Sequence, residues 1–293
     1  MLSIIISSYR PDYYFALEKN IAATCGIVYE IIKVENPGIM GICAAYNIGA
    51  EKAQYENLLF LHEDIEFVTE NWGRILIDHL NQKNTGIIGV AGSSYVPVAP
   101  SSWTVTKKYN YFHILQGNKL NKEAFLIQNT PQKRNKVFAV DGVFLAVKKV
   151  VYAQFIFDEK NLTGFHGYDL DFSLRVSKRY QNYVINDILL QHFSEGNLDK
   201  IWFDNTTKVR QKLGSSFHKK KDSEVEKEVF VGFLHRYFEW NAVNLKNIIF
   251  TLQYYPIKYM DYKKNLSLLK NYYNYIRFSA DLNKKQKFTR QKK

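Results

Sequence analysis

The chain reads as an α/β protein, a mostly parallel sheet flanked by helices, followed by a helical C-terminal extension. Three observations predict this. Short apolar runs rich in branched residues alternate with stretches of helical spacing over the first two thirds of the chain. Beyond about Gly214 the pattern is helical only. The charge divides as well: from Asn241 onward twelve Lys and Arg face only Asp261 and Asp281, leaving 28 basic and 26 acidic residues for the rest. The division expected is therefore residues 1–214 as the sheet domain and 215–293 as a basic, aromatic helical extension. With 293 residues, 46% hydrophobic and 23% charged, the chain is far from a disordered composition and long enough for a sizeable core.

Taken in order, Leu2 to Ser7 is a buried strand, short and Ile-rich, and Arg10-Pro11-Asp12 opens a helix toward Thr24 with Pro11 in its first turn. Val28 to Val34 is a second strand. Asn36-Pro37-Gly38 breaks it, and Met40 to Gln54, with its alanines, is a second helix. Asn57 to His62 is a third strand, Asn71 to Gln82 a helix and Thr85 to Ala91 a fourth strand. Ser93 to Gln132 loses regular periodicity, which predicts a long substrate-holding loop. Phe138 to Val147 is strand-like but interrupted at Asp141-Gly142. Tyr168 to Tyr180 has helical spacing, with Leu170 and Leu174 on one line and Phe172 and Val176 on another, and Tyr183 to His192 closes the body as a strand. In the extension, Val225, Val229 and Phe233 recur every four residues, and Leu266, Leu269, Tyr273 and Ile276 repeat at three and four. These apolar faces could pair with a neighbour.

Several classes are disfavoured. The two cysteines, Cys25 and Cys43, follow an opening run, LSIIIS, too short and too poor in basic residues for a secretory segment, so cytosol and free thiols are expected. No apolar stretch approaches the roughly 20 residues needed to cross a bilayer. His62-Glu63 has Glu66 four residues on, so it is no zincin helix, and no Walker A loop occurs. Gly86, Gly89 and Gly92 are spaced three apart within an apolar strand, which suits close packing and not a dinucleotide fingerprint.

In open α/β sheets ligands bind beyond the carboxyl ends of the strands. Here those positions are Ser8-Tyr9-Arg10, Glu35-Asn36, His62-Glu63-Asp64 and Asp141-Gly142. The third set is the most telling, because an imidazole and three carboxylates follow directly on the apolar Leu58 to Leu61, a costly place for charge. A divalent cation bridging to phosphate oxygens would explain it; a solvated acidic loop is the plain alternative. A second acidic group lies around Tyr168-Asp169-Leu170-Asp171. Asp171 suits an i, i+4 pair with Arg175, whereas Asp169, at a helix start flanked by Gly164 and Gly167, suits a general base in a cleft. His192 ends the last strand on the same sheet edge as Asp64.

This order of features resembles the family 2 glycosyltransferases of the GT-A fold, in particular bacterial members whose acidic metal motif begins with His. The resemblance covers roughly positions 1 to 196. It rests on Ile4-Ile5-Ile6-Ser7-Ser8-Tyr9-Arg10, on Val34-Glu35-Asn36, on Gly41-Ile42-Cys43-Ala44-Ala45-Tyr46-Asn47-Ile48-Gly49, and on His62-Glu63-Asp64 in place of Asp-x-Asp. It implies a nucleotide-sugar-binding and catalytic domain of Rossmann-like architecture. Asp64 and His192 would hold Mn²⁺ or Mg²⁺, and Ser8, Tyr9, Arg10, Glu35, Asn47, His62 and Glu63 would contact the nucleotide. Asp141, Gly142 and Tyr168 would line the donor and acceptor sugars, and Asp169 would be the catalytic base. The activity implied is inverting transfer from a UDP-linked sugar to a glycan or lipid-linked acceptor in bacterial surface polysaccharide synthesis. The alternative is a non-catalytic nucleotide- or glycan-binding module on the same fold, suggested by His62 standing where an acid is usual.

The extension combines its excess of Lys and Arg with Tyr254, Tyr255, Tyr259, Tyr262, Tyr272, Tyr273, Tyr275 and Phe278. Basic amphipathic helices with interfacial tyrosines bind anionic membrane surfaces, which would make the protein peripheral on the inner face of the cell membrane. A helical cap ending in a solvated Lys-rich tail fits equally, and nucleic acid is the weakest of the three readings.

Overall fold

A computed structural model of the chain describes residues 1–117, 124–193 and 198–291. The elements are, in order, β1 (Leu2–Ser8), α1 (Pro11–Thr24), β2 (Tyr29–Glu35), α2 (Ile42–Lys52), β3 (Asn57–Leu61), β4 (Ile65–Phe67), α3 (Trp72–Leu80), β5 (Thr85–Gly89), β6 (Ala91–Ser93), β7 (Asn110–Gly117), β8 (Ala124–Gln128), β9 (Arg134–Val137), β10 (Ala139–Val140), β11 (Phe144–Lys148), α4 (Lys149–Tyr152), α5 (Tyr168–Val176), β12 (Gln181–Ile185) and β13 (Leu190–His192). Helices follow: α6 (Lys200–Leu213), α7 (Ser223–Trp240), α8 (Leu245–Leu252), a 3₁₀ turn (Ile257–Tyr259), α9 (Tyr262–Arg277) and α10 (Ser279–Gln291). They form two compact units, 1–95 with 106–197, and 96–105 with 198–293. α6 belongs with the C-terminal helices, as does a short excursion from the sheet unit.

The sheet unit holds a seven-stranded sheet in the order β2-β1-β3-β11-β5-β12-β9 and a smaller one, β10-β6-β7-β13-β4, with β8 beside β7. The large sheet is mixed: β1 pairs parallel with β2 and β3, while β11 runs antiparallel between β3 and β5. Leu145 of β11 sits opposite Phe60. Alternation along the strands sends side chains to two cores. Ile4, Ile6, Leu59, Leu61 and Phe144 pack with Leu17 and Ile21 of α1 and Trp72 and Leu76 of α3. On the opposite pleat Phe60 meets Tyr46, Tyr152 and Phe157, and Phe157 meets Phe172 of α5. Helices on both faces explain why β1 and β3 are apolar almost throughout.

Two sequence expectations are corrected. Ser93 to Gln132 is not one irregular loop: β7 and β8 pair antiparallel within it, with His113 opposite Gln128. Their mixed polarity hides them, because β8 is mostly exposed and lacks a buried face. Tyr183 to His192 is two strands in different sheets. The break carries Asp187, which accepts from the buried His79 ring at 2.9 Å and pairs with Lys133 at 2.9 Å.

The helical unit is built on Phe203, Phe230, Phe233, Leu234, Tyr237, Phe238, Leu268 and Tyr272. Val225 and Phe233 of the expected α7 stripe are buried. The α9 stripe is different: Leu266, Leu269, Tyr273 and Ile276 are all exposed, and Leu268 and Tyr272 make the packing face. Segment 96–98 is held by buried polar groups. Val98 N–H donates to Glu226 at 2.9 Å, Arg210 donates to the Pro97 carbonyl, Lys221 donates to the Val96 carbonyl at 2.6 Å, and Val96 N–H donates to His218 Nε2 at 3.0 Å.

Candidate active site

The ends of β3, β13 and α5 converge. β3 stops at Leu61 and the chain passes through His62-Glu63-Asp64 into β4. β13 pairs antiparallel with β4 and sets His192 opposite Ile65, beside Asp64. His62 Nδ1 lies 3.8 Å and His192 Nε2 3.6 Å from Asp64 Oδ1. One ligand atom from each of the three residues falls within 4.8 Å of the others. Two imidazoles and a carboxylate facing one point suit a divalent transition-type cation, with remaining positions left for water or phosphate oxygens.

Two features favour that use. His62 Nε2 is hydrogen-bonded to the Tyr168 hydroxyl at 2.7 Å, which fixes the ring and leaves Nδ1 on the Asp64 side. Burial lowers the pKa of His192, with Asp64 opposing, so the imidazole tends to the neutral form that ligates. Tyr168 is placed by Gly167, which takes a φ of 82° at the N-terminus of α5, a left-handed conformation costly for other residues. Gly142 is required as well, since a Cβ there would come within 1.9 Å of the Tyr168 hydroxyl.

Asp169 follows in the first turn of α5. Burial, then the neighbouring Asp141 charge, push its carboxyl up to about 7, against backbone N–H bonds from Leu170, Asp169 itself and Gly142. That value suits a group that takes up a proton near neutrality. Asp171, two residues on, is buried and bound to Arg175 at 2.7 Å, and Arg175 also donates to the carbonyls of Phe155 and Ile156. It pins α5 to the preceding loop.

A second group of expected residues gathers at the β1 edge. Ser8 and Glu35 are register partners. Glu63 Oε1 accepts from Tyr9 N–H at 3.1 Å and Arg10 N–H at 2.9 Å, so this carboxylate braces the turn after β1. Tyr9 and Arg10 are exposed, with the Arg10 guanidinium 5.3 Å from the Tyr9 ring centre, and Glu35 pairs with Lys33 at 2.5 Å. Asn47 stands apart. Its amide donates to the Phe157 carbonyl and Glu159 and accepts from Tyr152 and Phe157 N–H, so its polar atoms are spent tying α2 to that segment.

The sequence left open whether His62 meets the metal or the ribose; the structure sets it beside Asp64 and His192. The chain bends over Glu63 and Asp64, and Glu63 turns instead to the amides of Tyr9 and Arg10. The bracing role of Tyr168 had no sequence signal, because it depends on where α5 arrives.

The model of a glycosyltransferase-like family matches residues 4–229. None of the curated proteins compared matches. Among solved structures, GalNAc-T7 with UDP, GalNAc and Mn²⁺ is similar at 12% identity and TM-score 0.50, over 72% of this chain and 47% of that one. The chain thus spans about half the length of that protein. S. aureus TarS 1–349 is similar at 12% identity and TM-score 0.50 over 88% of this chain and 82% of that one. The same protein with UDP-GlcNAc gives 10% identity and TM-score 0.50. Those likenesses establish the GT-A fold, and the match across most of its length shows that the chain belongs to the glycosyltransferase-like family.

Proposed function

We propose that the protein transfers a sugar from a nucleotide donor, UDP-linked, to a hydroxyl of a glycan or lipid-linked acceptor, with inversion at the anomeric carbon. The observation that carries this is the convergence of His62, Asp64 and His192 beside a carboxyl, Asp169, raised to about 7. The UDP and UDP-GlcNAc bound to the similar folds support the donor class.

In this reading His62, Asp64 and His192 would hold Mn²⁺ or Mg²⁺, which when bound supplies positive charge for the departing diphosphate. Ser8, Tyr9, Arg10 and Glu35 line the nucleotide, with Glu63 keeping the Tyr9-Arg10 turn in place. Asp141, Gly142 and Tyr168 border the sugars. Asp169 accepts the proton of the acceptor hydroxyl as its oxygen bonds to the anomeric carbon and the bond to the diphosphate breaks. The setting proposed is bacterial surface polysaccharide synthesis at the cytoplasmic face of the cell membrane. No helix among the described residues is long and apolar enough to cross that membrane.

The test is thermal stability with UDP, GDP and CMP, each with and without Mn²⁺, since a ligand of the native state alone must raise it. A metal-dependent rise with UDP supports the proposal. No rise with any nucleotide overturns it, and binding with neither transfer nor hydrolysis favours a non-catalytic module.

A further inference from the structure

We propose that the exposed face of α9 is a docking surface for an anionic lipid bilayer. Tyr262, Leu266, Leu269, Tyr273 and Ile276 fall at steps of four and three residues, hence on one line of the helix, and are between 48% and 77% exposed. A second line, Leu268 and Tyr272, lies roughly a quarter-turn round the helix and enters the core of the helical unit. A folded helix that buries one apolar line and presents a second to solvent has a partner to meet.

The chemistry beside the line identifies that partner. Lys263, Lys270 and Arg277 recur every seven residues along one flank of the apolar line, and all are exposed. α9 contains no Asp or Glu. Lys264 is turned the other way, to Glu224 at 2.8 Å and Asp261 at 3.0 Å. Apolar side chains between amphipathic tyrosines, with a row of cations alongside, match a headgroup and acyl-chain boundary. α8 repeats the composition, with Leu245, Ile249 and Leu252 exposed at steps of four and three beside Lys246. A second copy of the chain is disfavoured, because residues 241–293 carry twelve cations against two acids and would face their own like. Nucleic acid would satisfy the cations and leave the leucines and isoleucine uncovered.

This inference deepens the membrane placement proposed above and rests on it. UDP binding measured without vesicles reads the transferase proposal separately, so either can fail alone. The experiment is co-sedimentation of the full chain with vesicles of phosphatidylcholine containing phosphatidylglycerol, and with vesicles of phosphatidylcholine only. Binding to the anionic vesicles is expected, falling at least about tenfold on neutral vesicles and with rising salt. Leu266→Asp with Leu269→Asp should reduce it about tenfold or more, as should Lys263→Glu with Lys270→Glu and Arg277→Glu. Both variants change exposed side chains, so melting temperature and UDP binding should match the parent. No binding to anionic vesicles overturns the proposal. So does binding untouched by either variant, or self-association that the apolar variant dissolves without vesicle binding, or binding of a short RNA in place of vesicles.

Discussion

His62, Asp64 and His192 in the sheet unit keep side-chain exposures of 34%, 20% and 16%, whereas Lys221 and Glu226 in the helical unit fall to 2% and 0%. Both units place charge inside. In the first, ring nitrogens and a carboxylate converge on one another at 3.6 and 3.8 Å. In the second, Arg210 Nη2, Lys221, Glu226 and His218 are turned to the backbone of Val96, Pro97 and Val98. Buried charge by itself therefore does not mark a site. The distinction lies in whether the polar atoms face one another or face peptide groups.

The largest way to break this comparison is Asp169→Asn. Transfer should fall by about 10²- to 10⁴-fold with UDP affinity unchanged, read as kcat against nucleotide Kd; full turnover would remove Asp169 from the mechanism. Next, Glu226→Gln leaves Arg210 and Lys221 without their buried counter-charge, for an expected loss of about 3–5 kcal/mol in urea unfolding. A loss below about 1 kcal/mol would place that cluster with surface pairs. Smaller again is Tyr168→Phe, which frees the His62 ring while keeping the aromatic contact. Mn²⁺ affinity should drop by about 10- to 100-fold by calorimetry. Least of all is Lys200→Ala, which removes an i, i+4 pair with Asp204 in which both partners stand more than 40% exposed; its cost should be below about 1 kcal/mol.

Acid sharpens the same contrast, because the two regions respond with opposite sign. Asp169 has its folded-state pKa raised to about 7 from 3.8, so the folded state holds the proton more tightly. Its contribution is full below about 4 and is lost as pH rises through 7. His218 is lowered to about 4 from 6.5 by burial and then by Lys221, so its contribution is present above 6.5 and lost as pH falls through 4. Between pH 7 and 4 the amide of Val96, which donates to His218, should lose hydrogen-exchange protection. Over that range the stability gap between Asp169→Asn and the parent should shrink. A kcat profile rising through about pH 7 would agree with Asp169 as base.

Much of the sheet unit was legible. β1, β3 and α5 are recoverable from apolar runs and helical spacing, because each is buried along its length or on one face. Asp64, Asp169 and His192 were legible as polar residues directly after apolar strands or at a helix start. β7 and β8 were not, because their exposed and half-buried residues leave no alternating pattern. The direction in which the Asn47 amide is used was not legible, because its motif fixes the helix alone. In the helical unit the periodicity of α9 was legible and its orientation was not. Two apolar lines share the helix, and sequence spacing cannot say which one the core takes.

The sequence by itself determined the fold class, the alternation of strands and helices, the separation of a basic extension, and the strand ends where chemistry gathers. These depend on local periodicity and on the cost of charge beside apolar strands. Only the tertiary structure decided the antiparallel β11 in the large sheet, the gathering of a second imidazole, His62, with Asp64 and His192, the hold of Tyr168 on His62, and the recruitment of segment 96–105 into the helical unit. Each of those joins residues far apart in the chain. No local pattern records such a pairing, since its geometry exists only once the intervening elements have packed.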